Sequence, residues 1–231
     1  MKVIYLHHSG FIVQLEKSTL IFDAISNIPP HFLRKGRKNY FFVSHHHKDH
    51  FDQKIFSYGT DYDSHYILGK GVEREGGKNF HHIDPDQTLA IDDIKISAFD
   101  STDRGVSFLI RAENKLIFHA GDLNWWDWTV EDRPKIVPAD EEKQFKDIIQ
   151  TIKTDLGVEK IDVAFVPVDN RLKDSATKGA VYFIQSLAPA TLAPMHFWED
   201  FSMVDAIGEA NPNPSTQILT MTDRNQVILD I

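Results

Sequence analysis

The chain has 231 residues, enough for one large domain or two small ones, and its 42% hydrophobic and 11% aromatic content excludes a disordered chain. A formal net charge of −9 speaks against a nucleic-acid partner, which needs clustered Lys and Arg; the basic run Arg34-Lys35-Gly36-Arg37-Lys38 is too short to supply them. No cysteine is present, so disulfides and thiolate ligands are excluded and a reducing compartment is favoured.

The N-terminal run Met1-Lys2-Val3-Ile4-Tyr5-Leu6 stops at His7-His8, too soon for a signal peptide, and no later stretch approaches membrane-spanning length. A cytoplasmic protein without a membrane partner is expected. Short apolar runs at 3–6, 11–15 and 19–22, separated by Ser9-Gly10 and Glu16-Lys17-Ser18, predict a meander. Further strands are predicted at 40–43, 66–68, 80–83 and 94–99, and a hairpin at 106–111 and 116–119 around Ala112-Glu113-Asn114-Lys115.

After Pro138 the pattern changes. Phe145, Ile148, Ile149, Ile152 and Leu156 take the spacing of an amphipathic helix over 140–156, with Asp140 as N-cap and Gly157 as stop. A strand at 161–167, a helix at 176–187, a strand at 191–193, a short helix near 201–210 and strands at 217–221 and 226–231 complete the chain. Nothing resembles a linker, so one domain over 1–231 is expected. Strands first, then alternating helix and strand, predict two sheets packed face to face with helices outside.

The segment His45-His46-His47-Lys48-Asp49-His50 follows the apolar run Tyr40-Phe41-Phe42-Val43. It places three imidazoles and a carboxylate, the ligands of borderline divalent cations, where the backbone leaves a strand; His46 alternates away from its neighbours. Two more chemistry-bearing residues close apolar strands: Asp122 in Phe118-His119-Ala120-Gly121-Asp122 and His196 in Leu192-Ala193-Pro194-Met195-His196. Either alone is more often structural. Together they extend the cluster.

With these motifs in order along most of its length, the chain resembles the metallo-β-lactamase fold hydrolases. His8-Ser9-Gly10-Phe11 and Leu20-Ile21-Phe22-Asp23 resemble in particular the branch of ascorbate-phosphate lactonase-like proteins. The resemblance implies an α/β fold, the four-layer αββα sandwich, with two divalent cations at one edge of the sheets. It implies that His45 and His47 bind a first metal, that Asp49, His50 and His196 bind a second, and that Asp122 bridges them. A metal-bound hydroxide would then attack a small ester, lactone or phosphoester, with Asp49 and Asp122 catalytic through the metals.

One departure stands out. The family's third histidine on the first metal would fall in Ala98-Phe99-Asp100-Ser101-Thr102-Asp103-Arg104-Gly105-Val106, which has none. Asp103 or Asp100 could supply an oxygen instead, Asp103 being favoured because Arg104-Gly105 leads straight into the strand. His8, reaching in from the N-terminal hairpin, is another substitute. Zinc is the usual ion of such a site, and a carboxylate in place of imidazole shifts preference toward manganese or iron. A single-metal or non-hydrolytic binding protein is the alternative reading. Around the site, Trp125 is expected to wall the substrate and Arg171 to hold an anionic group, with Asp23, His119 and His8 as partners that orient the ligands.

Overall fold

Two-residue alternation in the first strands decides how the layers pack. Val3, Tyr5, Phe11, Val13, Leu20, Phe22, Tyr40 and Phe42 enter one buried cluster, whereas Ile4, Leu6, Ile12, Ile21, Phe41 and Val43 enter a second. Successive side chains of a strand point to opposite faces, so these strands form a sheet covered on both sides. Each such aliphatic or aromatic side chain contributes about 1.5–3 kcal/mol on burial, and a one-residue slip would exchange the two sets. The computed structural model describes every residue except 75, 76, 129–131, 134 and 136.

The chain forms β1 (Lys2–His7), β2 (Gly10–Gln14), β3 (Ser18–Phe22), β4 (Lys38–Val43), β5 (Ser64–Gly69), β6 (Phe80–Ile83), β7 (Thr88–Ile91), β8 (Ile94–Phe99), β9 (Ser107–Ala112), β10 (Lys115–His119), α1 (Pro138–Leu156), β11 (Val163–Pro167), α2 (Lys178–Leu187), β12 (Thr191–Met195), α3 (Ser202–Ala210), β13 (Gln217–Ile218) and β14 (Gln226–Asp230). One seven-stranded sheet runs β14-β1-β2-β3-β4-β5-β6 and the other β13-β12-β11-β10-β9-β8-β7. Their inner faces meet through rings such as Phe11 on Phe165 at 4.2 Å and Phe42 on Phe108 at 5.4 Å between centroids. The helices cover the second sheet, and 3-10 turns at Pro30–Phe32 and Gln53–Thr60 cover the first, with Phe32 and Ile55 in its outer cluster. The architecture is the expected α/β four-layer sandwich, one outer layer being built of turns rather than α-helix. Among the described residues no helix is long and apolar enough to cross a membrane.

Several boundaries differ from the sequence expectation. The cap of α1 is Val137 rather than Asp140: Pro138 takes the first helical position, where its missing N–H costs nothing. Asp140 and Glu141 lie in the first turn, favourable beside the positive helix end. Gly157 does end the helix, at φ +56°, its N–H donating to Lys153 O. The expected helix over 176–187 starts at Lys178, after a separate 3-10 turn at Asn170–Ser175 kinked at Lys173. Strand β7 was not expected, since its edge position leaves Thr88 and Ala90 exposed and its apolar pattern weak. Of 217–221, only Gln217–Ile218 pair.

Parallel pairing sets the place of the site. β3, β4 and β5 pair in parallel, as do β10, β11 and β12, so their C-terminal ends emerge at one edge. Loops at the carboxyl ends of parallel strands are where ligand-binding groups gather in α/β sheets.

Candidate metal centre

Three aspartates leave three parallel strands there: Asp23 after β3, Asp122 after β10 and Asp169 after β11. The His loop leaves β4 beside them, His196 leaves β12, and His8 comes in on the turn between β1 and β2. Asp23, Asp122, Asp169, His8, His45, His50 and His196 are all buried. Asp23, His8 and His196 hold positive φ, of 38°, 55° and 69°, conformations that persist only where surrounding contacts over-determine them.

The His loop is seated by close packing of backbones. Ser44 O accepts from Val106 N–H at 3.2 Å. A Cβ added at Gly69 or Gly105 would lie 2.2 or 2.1 Å from Ser44 O, and one at Gly121 2.8 Å from Ser44 Cβ. Strand β5, the turn after β10 and the segment before β9 therefore all close on one residue. Asp23 completes the seat: its carboxylate accepts from Ser44 N–H at 2.8 Å and from Ser44 Oγ–H at 2.6 Å.

Asp122 stands at the middle. Its Oδ1 lies 2.9 Å from His50 Nε2 and 3.3 Å from His196 Nε2, and its Oδ2 3.2 Å from His45 Nε2. Three sets of donor atoms lie within 4.8 Å of one another: His45 with His50 and Asp122, His47 with Asp103 and Asp122, and His8 with Asp49, His50 and His196. Asp103 is thus brought to His47. Asp100 is exposed and accepts from Ser101 N–H instead, and His8 falls on the Asp49 side, away from His45 and His47. His46 is exposed, apart from these sets.

The far ring nitrogens are held. His50 Nδ1 lies 2.7 Å from Asp23 Oδ2 and His196 Nδ1 2.9 Å from Asp169 Oδ2. Burial alone would push both histidines down, but Asp122, with Asp23 for His50 and Asp169 for His196, overrides it and raises both. Burial would likewise raise Asp122, Asp23 and Asp169. The facing imidazoles, together with Arg171 for Asp169, hold all three carboxyls below their usual range. Burial, then His196 and His50, keep His8 low, and burial with His45 lowers His47.

A metal fits this donor set. The Nε2 atoms of His8, His45, His50 and His196 and Asp122 Oδ1 are buried, and none has a hydrogen bond of acceptable geometry. Buried polar atoms left unpaired cost about 1–3 kcal/mol each, so their convergence needs an explanation, and His/Asp donors suit a divalent cation.

The other expected residues divide. Trp125 does not line the cavity beside Asp122: its ring packs 6.3 Å from Phe145 and 6.2 Å from Tyr182, with Lys178 Nζ 4.2 Å over it. Trp126 and Trp128 line it instead, Trp126 being fixed by donation from its Nε1–H to Asp122 O at 3.1 Å. The cavity, about 290 Å³, is also lined by His47, Asp49, Asp103, Arg133 and Arg171. Arg171 donates to Asp169 through Nε and Nη2, and the Arg133 guanidinium lies 4.6 Å from the Trp128 centroid. His119 touches none of the ring nitrogens: its Nε2–H donates to Ser9 O at 2.9 Å and its Nδ1 accepts from Gly121 N–H at 3.1 Å, so it orients backbone beside Asp122 rather than a ligand side chain. Asp169 escaped the sequence reading, although a buried strand followed by Asp is the signal that marked Asp122.

No family model matches the sequence. Solved structures are similar over nearly the whole chain. The metallo-β-lactamase fold protein YhfI from Bacillus subtilis matches at 13% identity and TM-score 0.64, covering 98% of this chain and 97% of that one. The metallo hydrolase Igni18 from the archaeon Ignicoccus hospitalis matches at 15% identity and TM-score 0.61, covering 98% and 97%. CmlA, a diiron β-hydroxylase from Streptomyces venezuelae, matches at 12% and 0.60, covering 95% of this chain but 53% of its own. Hydrolase and hydroxylase thus share one architecture, and a likeness at such identities speaks for fold rather than reaction. The chain adopts the metallo-β-lactamase fold.

Proposed function

We propose that the protein is a metal-dependent hydrolase of small, anionic esters, lactones or phosphoesters. The convergence of buried, unbonded Nε2 atoms on Asp122 carries this reading. In it, His45, His47 and Asp103 hold one divalent cation, Asp49, His50 and His196 a second, and Asp122 lies between. Bound there, such a pair acidifies water and polarises a carbonyl or phosphoryl oxygen. Asp23 and Asp169 hold the Nδ1–H of His50 and His196, so each ring turns an Nε2 lone pair inward. Trp126 and Trp128 wall a cavity sized for a small molecule. Arg171, beside that wall, supports an anionic group on the substrate. The Asp103 carboxylate shifts the first position toward manganese or iron relative to a site with three imidazoles, zinc remaining the first ion to try. The likeness of the N-terminal segments to ascorbate-phosphate lactonase-like proteins puts phosphorylated lactones first among compounds to try.

The test pairs metal stoichiometry with a panel of anionic and neutral lactones, esters and phosphodiesters. The expected result is two equivalents per chain and turnover of an anionic member. Arg171→Met should raise KM for it roughly 10–100-fold, the worth of a charge-assisted hydrogen bond, with a smaller effect on neutral analogues, which feel only the loss of its bonds to Asp169. Metal-loaded protein inert across the panel would refute the hydrolase reading.

Cation uptake should be proton-linked. In the metal-free protein the raised pKa values of His50 and His196 contribute stability that is present below the ordinary imidazole value of about 6.5 and lost as pH rises through the folded values. A cation competes with those protons, so affinity for zinc or manganese should rise with pH and binding should release on the order of one to two protons. Calorimetry in buffers of different ionisation enthalpy measures this release; its absence at pH 6–7 would contradict the ligand roles of both rings.

A further inference from the structure

Four imidazoles turn a buried, unbonded Nε2 toward the centre, but their Nδ1 atoms divide them into two kinds. His50 and His196 place Nδ1 against carboxylates that only accept, so there Nδ1 carries the hydrogen. His45 Nδ1 lies 3.0 Å from Ser44 Oγ, whose own hydrogen goes to Asp23 Oδ2, so it too donates. Once a cation displaces any proton shared with Asp122, these three rings present a bare Nε2. His8 is reversed: its Nδ1 accepts the Trp198 N–H at 3.2 Å. That nitrogen bears no hydrogen, so the ring proton sits on Nε2.

The reversal is built in. His8 N–H donates to Tyr5 Oη at 2.9 Å, Tyr5 Oη–H donates to Trp198 O at 3.2 Å, and His196 N–H donates to His8 O at 3.2 Å. The Trp198 indole stacks on the His8 ring at 4.1 Å. The β1–β2 turn and the segment after β12 are clasped together; moving the ring proton to Nδ1 would place two N–H hydrogens face to face there, and turning the ring over would set a C–H against the Trp198 N–H.

We propose that His8 is not a metal ligand but a positioning residue, whose Nε2–H holds the Asp49 carboxylate so that its other oxygen faces the cation. Asp49 Oδ2 lies 3.8 Å from His8 Nε2, short of a hydrogen bond and within the reach of a small side-chain adjustment. This assignment rests on the proposed metal centre and reduces its second position to Asp49, His50, His196 and the shared Asp122.

The experiment uses the full chain stripped with chelator and titrated with Zn(II) alone, as wild type, His8→Leu and His8→Gln. Stoichiometry is read by mass spectrometry and affinity by competition with a chromophoric chelator. Wild type should bind two equivalents. His8→Leu should still bind two, one of them weakened roughly 10–100-fold, the usual cost of removing a group that orients a ligand. His8→Gln, which keeps an N–H donor of similar reach, should recover most of that loss. In the zinc-loaded wild type, long-range 15N–1H spectra of labelled histidine should place the His8 proton on Nε2 and those of His45, His50 and His196 on Nδ1. A His8 proton on Nδ1, a fall to one equivalent in both variants, or unchanged affinities in His8→Leu would each overturn the proposal; should His8→Leu not fold, the spectrum and His8→Gln decide it. A wild type that takes up no zinc overturns the metal centre itself and this role with it, an outcome distinct from any variant-specific loss.

Discussion

Asp122→Asn is expected to abolish hydrolysis while leaving the fold in place. The amide keeps the volume and one acceptor oxygen, so the turn after β10 has no steric reason to move. It loses the charge. In the proposed centre, Asp49, Asp103 and Asp122 are the anions set directly against two dications, and Asp122 lies within 3.3 Å of each of His45, His50 and His196. Uncompensated charge in a buried site is costly, and the system relieves it by losing an ion. Turnover should fall by about 10²–10³-fold or more, the scale on which one preorganised electrostatic group contributes, and at least one metal equivalent should disappear. Circular dichroism should stay native-like. A variant with wild-type rate and two bound equivalents would remove Asp122 from the mechanism.

Gly105→Ala should instead act through the scaffold. Gly105 sits at φ +73°, and an added Cβ would lie 2.1 Å from Ser44 O and 2.5 Å from His45 Cβ. The left-handed backbone costs an L-residue about 1–2 kcal/mol, and forcing atoms into a packed site costs about 1–3 kcal/mol more. The sum, about 2–5 kcal/mol, corresponds to a Tm lower by roughly 5–20 °C in a chain of this length. Because the obstructed atoms belong to Ser44 and His45, metal affinity should fall with it. Gly157→Ala is the control: its φ is +56° but nothing lies within 4 Å of the added Cβ, so it should show the backbone cost alone. Equal Tm losses in the two variants would refute the cradle around Ser44.

Much of the candidate site could be read in one dimension because its donor residues are local. His45, His47, Asp49 and His50 fall within six residues after a strand, and Asp122 and His196 each follow an apolar run. The orienting shell was less legible. Asp169 differs from other strand-end aspartates only in facing His196 across parallel β11 and β12, and no spacing in the chain reports that. Trp125 and Trp126 are adjacent and alike in type; the backbone turns the first toward α1 and α2 and the second toward His196. His8 shows the same limit, since its two nitrogens are distinguished only by a backbone N–H 190 positions away.

By itself the amino-acid order determined the layering, because residues two apart must share a sheet face and so Val3, Tyr5, Phe11 and Val13 had to meet a second apolar surface. It also limited the donor types, since a chain without cysteine offers a cation nitrogen and oxygen but no thiolate. Only the tertiary structure decided which carboxylate of that segment lies beside the His loop: Asp103 approaches His47 and Asp122, whereas Asp100, three residues away, faces outward. The physical reason is that ligation depends on distances of a few ångströms between separate loops, and those are set by sheet register and by glycine contacts on Ser44, not by neighbours along the chain.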